Sequence, residues 1–156
     1  LGSGAAAMVM CRRDLAPKGH SYLGSVTRAA TQFNRLCHGQ VDRMVTDTRT
    51  LLTEGLKLAT KTFNAAREAL GWVVDELDQF IIHQVSKAHT ESLMKLLRLD
   101  PKKVHRIYPE LGNIGPAAVP IALAKAIEMG KVKSGDRIAL LGIGSGLNCS
   151  MAEIVW

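Results

Sequence analysis

The 156-residue chain is 47% hydrophobic, enough for one domain with a real core, and no apolar stretch approaches the roughly 20 residues of a membrane-crossing helix. Its three cysteines, Cys11, Cys37 and Cys149, show no C-x-x-C spacing and no signal-like apolar segment is present, so a reduced, cytoplasmic setting is expected, with neither a disulfide framework nor a metal site. The net charge of +6 is spread over Arg12/Arg13, Lys102/Lys103/Arg106 and Lys131/Lys133/Arg137, and aromatic residues make up 4%, too few for a base-stacking platform; a solvated basic surface, or one that attracts anionic phosphorylated carriers, is expected rather than a nucleic-acid partner.

In sequence order, Leu1-Gly2-Ser3-Gly4 lacks an initiating Met and runs into Ala5 to Cys11, which reads as a buried strand in the interior of a longer polypeptide. Tyr22 to Phe33, with Val26, Thr27 and Thr31, reads as a second strand, and Asn34 to Thr46 as a loop. Leu52, Leu56, Ala59, Phe63, Ala66 and Leu70 recur at alternating steps of four and three, which predicts an amphipathic helix with Gly71 as its stop. Asp78 to His83 is a short apolar strand with a polar last residue. Ser86 to Leu97 is helical, with Leu93, Met94 and Leu97 on one face, and Asp100-Pro101 opens a short helix. Pro116 to Met129 is a further helix stopped by Gly130, Ser134 to Asp136 a turn, Arg137 to Ile143 a strand and Leu147 to Trp156 the last strand. Helical crossovers between strands predict an α/β layered domain with a mixed sheet.

Three motifs carry chemistry. Gly142-Ile143-Gly144-Ser145-Gly146 follows a strand, but a dinucleotide loop needs a helix next and an acidic residue about 20 positions on. Only ten residues remain after Gly146, so that reading fails; a tight hairpin, or a backbone opened for close approach to another group, stays in play. His83 ends a strand, where a histidine is more often structural than catalytic, and Asn113 in Gly112-Asn113-Ile114-Gly115 is a common turn or cap residue. Together, an imidazole, a carboxamide and a run of backbone N–H groups suit an oxygen that gains negative charge. The other histidines, His20, His38, His89 and His105, show no ligand spacing; Cys37-His38 points to opposite faces of an extended segment, and Cys11 and Cys149 read as core residues.

His83-Gln84-Val85-Ser86, Gly112-Asn113-Ile114-Gly115-Pro116-Ala117-Ala118-Val119-Pro120 and Gly142-x-Gly-x-Gly resemble the C-terminal half of the ketoacyl-synthase III branch of the thiolase superfamily. Gly2-Ser3-Gly4-Ala5-Ala6-Ala7 resembles the G-D-G-A-A-A strand found near the middle of that family's sequences, with Ser3 for the usual Asp. Within the branch, Gly-Asn-Ile-Gly-Pro-Ala-Ala and Gly-Ile-Gly-Ser-Gly-Leu-Asn-Cys look most like the head-to-head condensing enzymes of long-chain olefin biosynthesis, the OleA type. The resemblance implies a thiolase-like αβαβα fold of which this chain is the C-terminal βαβαβ half, normally a homodimer. It implies that the nucleophilic cysteine belongs to the N-terminal half, that His83 and Asn113 form one oxyanion hole, and that the Ser145 N–H, flanked by Gly144 and Gly146, serves another; Ile114 joins the substrate-binding residues. Gly142 stands where degradative thiolases carry a second cysteine, which points to a synthase, and asparagine as the second polar partner points to the type III branch. The implied activity is Claisen condensation of acyl thioesters, two long-chain acyl-CoAs giving a β-keto acid, with coenzyme A thioesters as substrates and no further cofactor. The alternatives are condensation of acyl-CoA with malonyl-acyl carrier protein, and a non-catalytic acyl-binding scaffold subunit. Half of a stacked fold is also expected to aggregate when isolated.

Overall fold

The computed structural model describes all residues, Leu1–Trp156. In sequence order the elements are β1 (Ser21–Ala29), β2 (Cys37–Gly39), β3 (Met44–Thr46), α1 (Thr48–Leu70), β4 (Gln79–Ile82), α2 (Lys87–Leu97), α3 (Tyr108–Leu111), α4 (Ala118–Glu128), β5 (Arg137–Gly144) and β6 (Asn148–Val155), joined by loops and short 3-10 turns. The periodic apolar stripe of α1 is placed between the two stops its sequence supplies. Asp47 caps the start by accepting from the Thr50 N–H at 3.1 Å, and Gly71 ends the helix in the left-handed conformation at φ 65°. Ser86 caps α2 in the same way, accepting from the His89 N–H at 3.3 Å.

The main sheet has the order β1-β6-β5-β4. β4 and β5 run parallel, with Gln79 opposite Ile138 and Ile82 opposite Leu141, while β5–β6 and β6–β1 are antiparallel. A parallel pair needs a crossover, and α2, α3 and α4 all lie within the one that joins β4 to β5. β1 completes the sheet at its far edge, with Ser21 opposite Val155.

Alternation along the strands sorts the core into two. Phe80, Ile82, Ala139, Leu141, Cys149 and Met151 face α1 and α2, meeting Phe63, Leu93 and Leu97 among others. Ile81, Ile138 and Ile154 face the other way, toward Ala118, Ala122, Leu123 and Ala126 of α4. The sheet is therefore covered by helices on both faces, the layered mixed α/β architecture expected. One carboxylate sits inside this core: Glu153 of β6, 1% exposed, accepts from Trp72 Nε1 at 2.8 Å and from Arg137 Nε at 2.7 Å, tying the residue after the α1 stop to the sheet.

Several boundaries differ from the sequence reading. Ala5 to Cys11 is an exposed extended segment instead of a buried strand, and Cys11 is exposed instead of packed in the core. The reason is the lack of a partner. The Gly2 N–H donates to the Asn113 carbonyl at 2.9 Å, and the first glycines lie against Leu111, Ile114 and Ala117, but no strand runs beside residues 5–11. The segment read as a loop from Asn34 to Thr46 contains the β2–β3 hairpin, with Cys37 opposite Thr46. The strand begun at Tyr22 ends at Ala29, before a 3-10 turn over Thr31–Phe33, and α3 is a single helical turn that the sequence pattern does not announce.

Candidate active site

The site forms where β4 and β5 end together. A parallel pair points both C-terminal ends the same way, so the residue after β4 meets β5 three residues before its end: the His83 N–H donates to the Leu141 carbonyl at 2.8 Å. His83 lines a narrow cleft with Gly142 and Ile143 of β5, Gly55, Leu56 and Ala59 of α1, and His89 of α2, with room for about one water molecule. Burial holds the His83 imidazole below its ordinary pKa, and the backbone of Gly115 pulls the other way. Near neutral pH the ring is thus uncharged, with one nitrogen an N–H donor.

Gly115 belongs to the turn that carries Asn113. The Asn113 Oδ1 accepts from the Gly115 N–H at 3.0 Å, closing an Asx turn ahead of α4. That bond fixes which end of the carboxamide is which, because the engaged atom must be the oxygen. The Nδ2 amide is left as the free donor. The turn that sets this orientation is also the one whose backbone reaches His83, so the structure places the Asn113–Gly115 turn beside the His83 ring.

Ser145 stands apart from them. It is the exposed first residue of the three-residue turn between β5 and β6, about 13 Å along the strand direction from Leu141 at the usual rise per residue. The Asn148 Nδ2 donates to its carbonyl at 3.0 Å and steadies the peptide, while no hydrogen bond within the protein occupies its N–H. Of the flanking glycines, Gly146 has φ 131°, a value side chains rarely adopt, whereas a Cβ on Gly144 would only touch the Asn148 side chain at 3.4 Å. Ile114 is buried in the core against Ala117 and Ala118, so its side chain packs under the turn and does not line the cleft.

No thiol here is placed as a nucleophile. Cys149 lines the cleft but is buried, which pushes its pKa up to about 11 and keeps it protonated. Cys37 accepts a hydrogen bond from Thr46 Oγ1 at 3.4 Å in the hairpin, and Cys11 is exposed. No group of three or more His, Cys, Asp or Glu side chains is arranged to hold a metal ion, and no helix is long and apolar enough to cross a membrane.

Sequence reasoning missed His89. Six positions from His83, it offers no ligand spacing, yet a strand end and the first turn of the following helix turn both rings into one cleft. Burial, helped by the neighbouring His83, lowers the His89 pKa to about 4, and its Nδ1 is buried without a partner. The folded state thus binds a proton here less readily than the unfolded polypeptide, whose histidine titrates near its ordinary 6.5. Stability is full above about pH 6.5 and falls as pH drops toward 4, by about 3 kcal/mol from this group. Burial lowers His83 and His105 as well and adds a loss of the same sign. Urea unfolding at pH 7 and pH 4.5 should show that loss in the wild-type protein and a shallower one in His89→Leu; an equal loss in both would remove His89 from the account.

Known proteins are similar to this chain in sequence and in fold. The family model described as 3-oxoacyl-[acyl-carrier-protein (ACP)] synthase III C terminal matches residues 67–156. An acyl-CoA:acyl-CoA alkyltransferase of Xanthomonas campestris pv. campestris is 65% identical over 156 residues, which are 100% of this chain and 46% of that protein. A protein of the same name from Shewanella oneidensis is 34% identical, covering 99% of this chain and 48% of its own length, and beta-ketoacyl-[acyl-carrier-protein] synthase III 2 of Streptomyces coelicolor is 30% identical over 99% and 47%. Among solved structures, the 3-oxoacyl-(acyl carrier protein) synthase III FabH of Xanthomonas oryzae pv. oryzae superposes with a TM-score of 0.89 at 65% identity, over 93% of this chain and 43% of that one. Xanthomonas campestris OleA with bound lauric acid and lauroyl-CoA does so with a TM-score of 0.89 at 63% identity, over 93% and 43%. The fold is thus the thiolase-like one, and the protein described here spans about half the length of the curated relatives it matches.

Proposed function

Because this chain belongs to the C-terminal family of 3-oxoacyl-[acyl-carrier-protein] synthase III, we propose that it supplies the condensing half of an acyl-thioester Claisen enzyme. The observation that carries the reading is the convergence of neutral His83 with the Asn113–Gly115 turn, whose Oδ1 is occupied and whose Nδ2 is free. Two uncharged donors, one of them lining a desolvated cleft, suit a thioester carbonyl that becomes an enolate oxygen, because their hydrogen bonds strengthen as its charge grows. The first acyl group passes from the coenzyme A sulfur to a cysteine sulfur supplied outside this chain, and coenzyme A leaves as the thiol. A base, also outside this chain, takes an α-proton from the second thioester. The resulting carbanion attacks the first thioester carbonyl and expels the cysteine thiolate. The Ser145 N–H, on its hairpin tip, serves the acyl-transfer oxyanion.

Head-to-head joining of two long-chain acyl-CoAs gives a β-ketoacyl-CoA, whose thioester water then cleaves to a β-keto acid and the second coenzyme A thiol; this is favoured over condensation with malonyl-acyl carrier protein. Its support is the 65% identity to an acyl-CoA:acyl-CoA alkyltransferase, against 30% to the named synthase III of Streptomyces coelicolor. The working protein is then a cytoplasmic homodimer in which each protomer pairs this half with a first half that carries the nucleophile. Release of free coenzyme A by the full-length protein from a long-chain acyl-CoA, with and without a malonyl thioester, tests the reading, with products identified by mass. Release from acyl-CoA alone, with a keto acid built from two acyl groups, is the expected result. Condensation only with the malonyl partner would transfer the protein to the synthase reaction, and no release in either case would leave a non-catalytic acyl-binding subunit.

A further inference from the structure

Resting on that reading, we infer that Gln84 is a positioning residue that sets the spacing between the His83 and Asn113 donors. Gln84 follows His83 directly and its side chain is fully buried at 0% exposure. All of its hydrogen bonds reach into one distant stretch of backbone. Nε2 donates to the His105 carbonyl at 2.7 Å, and Oε1 accepts from the Ile107 N–H at 2.8 Å and the Tyr108 N–H at 3.1 Å. Tyr108 opens α3, and that single turn is closed by Leu111 N–H to the Ile107 carbonyl at 3.0 Å and Gly112 N–H to the Tyr108 carbonyl at 3.0 Å. Asn113 is the next residue.

The path from one donor to the other is therefore short and stiff: one peptide bond from His83, one buried carboxamide, one helical turn, then Asn113. The far side is anchored too, since the Lys131 Nζ lies 3.2 Å from His105 Nδ1. A carboxamide suits this place because the backbone presents one carbonyl and two N–H groups, and a glutamine matches them with a donor and an oxygen of two lone pairs. An apolar residue would leave three buried backbone groups unpaired, whereas an asparagine keeps the chemistry and shortens the reach by one methylene. Misplacement of a reacting group by about 1 Å costs on the order of 10²-fold in rate.

The test uses the full-length enzyme and separates its two half-reactions by rapid quench. The coenzyme A burst reports acylation of the cysteine, in which His83 and Asn113 take no part; the steady-state keto product reports condensation. In Gln84→Asn the burst should stay within about twofold of wild type while condensation falls by about 10²-fold. Combining Gln84→Asn with Asn113→Ala should cost little more than Asn113→Ala alone, because a residue that acts through a donor loses its effect once the donor is gone. Unchanged condensation, a burst that falls in step with condensation, or fully multiplicative losses in the double variant would each overturn the proposal. Wild-type enzyme that acylates without condensing would instead overturn the functional reading and this inference with it. Gln84→Met, which keeps the volume and removes every hydrogen bond, serves as the second variant, and condensation at the wild-type rate in it would equally refute the role.

Discussion

His83→Ala and Asn113→Ala, each made in the full-length protein, are expected to lower condensation by about 10²–10³ while the coenzyme A burst persists, since each removes one donor from the enolate oxygen. The burial that keeps His83 neutral and the Asx turn that frees Asn113 Nδ2 make these two losses comparable in size. His83→Asn and Asn113→Asp separate donor loss from a gap. The first keeps an N–H on a shorter side chain and should recover part of the rate. The second replaces the NH2 with an oxygen and should be no better than alanine. Rates read by quenched flow with a long-chain acyl-CoA decide the matter, and condensation at the wild-type rate in both alanine variants would remove the oxyanion role from these residues.

Glu153→Ala should cost about 1–3 kcal/mol of stability without touching the site, the usual cost of leaving a buried donor, here the Trp72 indole N–H, without its partner. The carboxylate is 1% exposed and is the acceptor for both Trp72 Nε1 and Arg137 Nε, so its loss orphans the indole N–H and leaves the guanidinium only its 3.6 Å contact with Glu76. Glu153→Gln keeps the volume and one acceptor but turns an NH2 toward a donor, and should fall between. A urea midpoint that drops at unchanged slope would confirm the loss as one of native-state stability. A drop of less than about 1 kcal/mol would mean that the three side chains contribute little, as exposed pairs do.

Regular elements were legible in the sequence where one signal repeated and a second bounded it. The stripe of α1 from Leu52 to Leu70 is closed by Gly71, which the structure uses as the left-handed cap, whereas the Asp47 cap at its start was shown only by the structure. The apolar runs of β4 and β5 stood out for the same reason. The β2–β3 hairpin did not, because Cys37-His38-Gly39 and Met44-Val45-Thr46 are three residues each and carry no glycine-based turn pair between them. Ala5 to Cys11 failed in the opposite direction: its composition suits a strand, but a strand exists only beside another edge, which sequence does not display. For the site, His83 and Asn113 were weak signals one by one, and it was the resemblance to the ketoacyl-synthase III branch that singled them out together with Ser145. What stayed hidden depends on the loops between them: the His89 ring turned into the same cleft, and the Gln84 carboxamide joined to residues more than twenty positions away.

The ladder between β1 and β6, with Ser21 opposite Val155, has a consequence for how the protein is made. β6 leaves the ribosome long after β1, so β1 waits unpaired while every helix between them is synthesised. The parallel register of β4 with β5 must likewise await the entire helical crossover. Pairings of such sequence separation form slowly because the loop entropy is spent before any contact rewards it. During that delay the helices can form from local contacts, but the sheet on which they pack cannot. The nascent polypeptide therefore passes through a stage in which α1 and α2 present their apolar faces with nothing to cover them, the stage at which chaperones or cold expression would change its yield most.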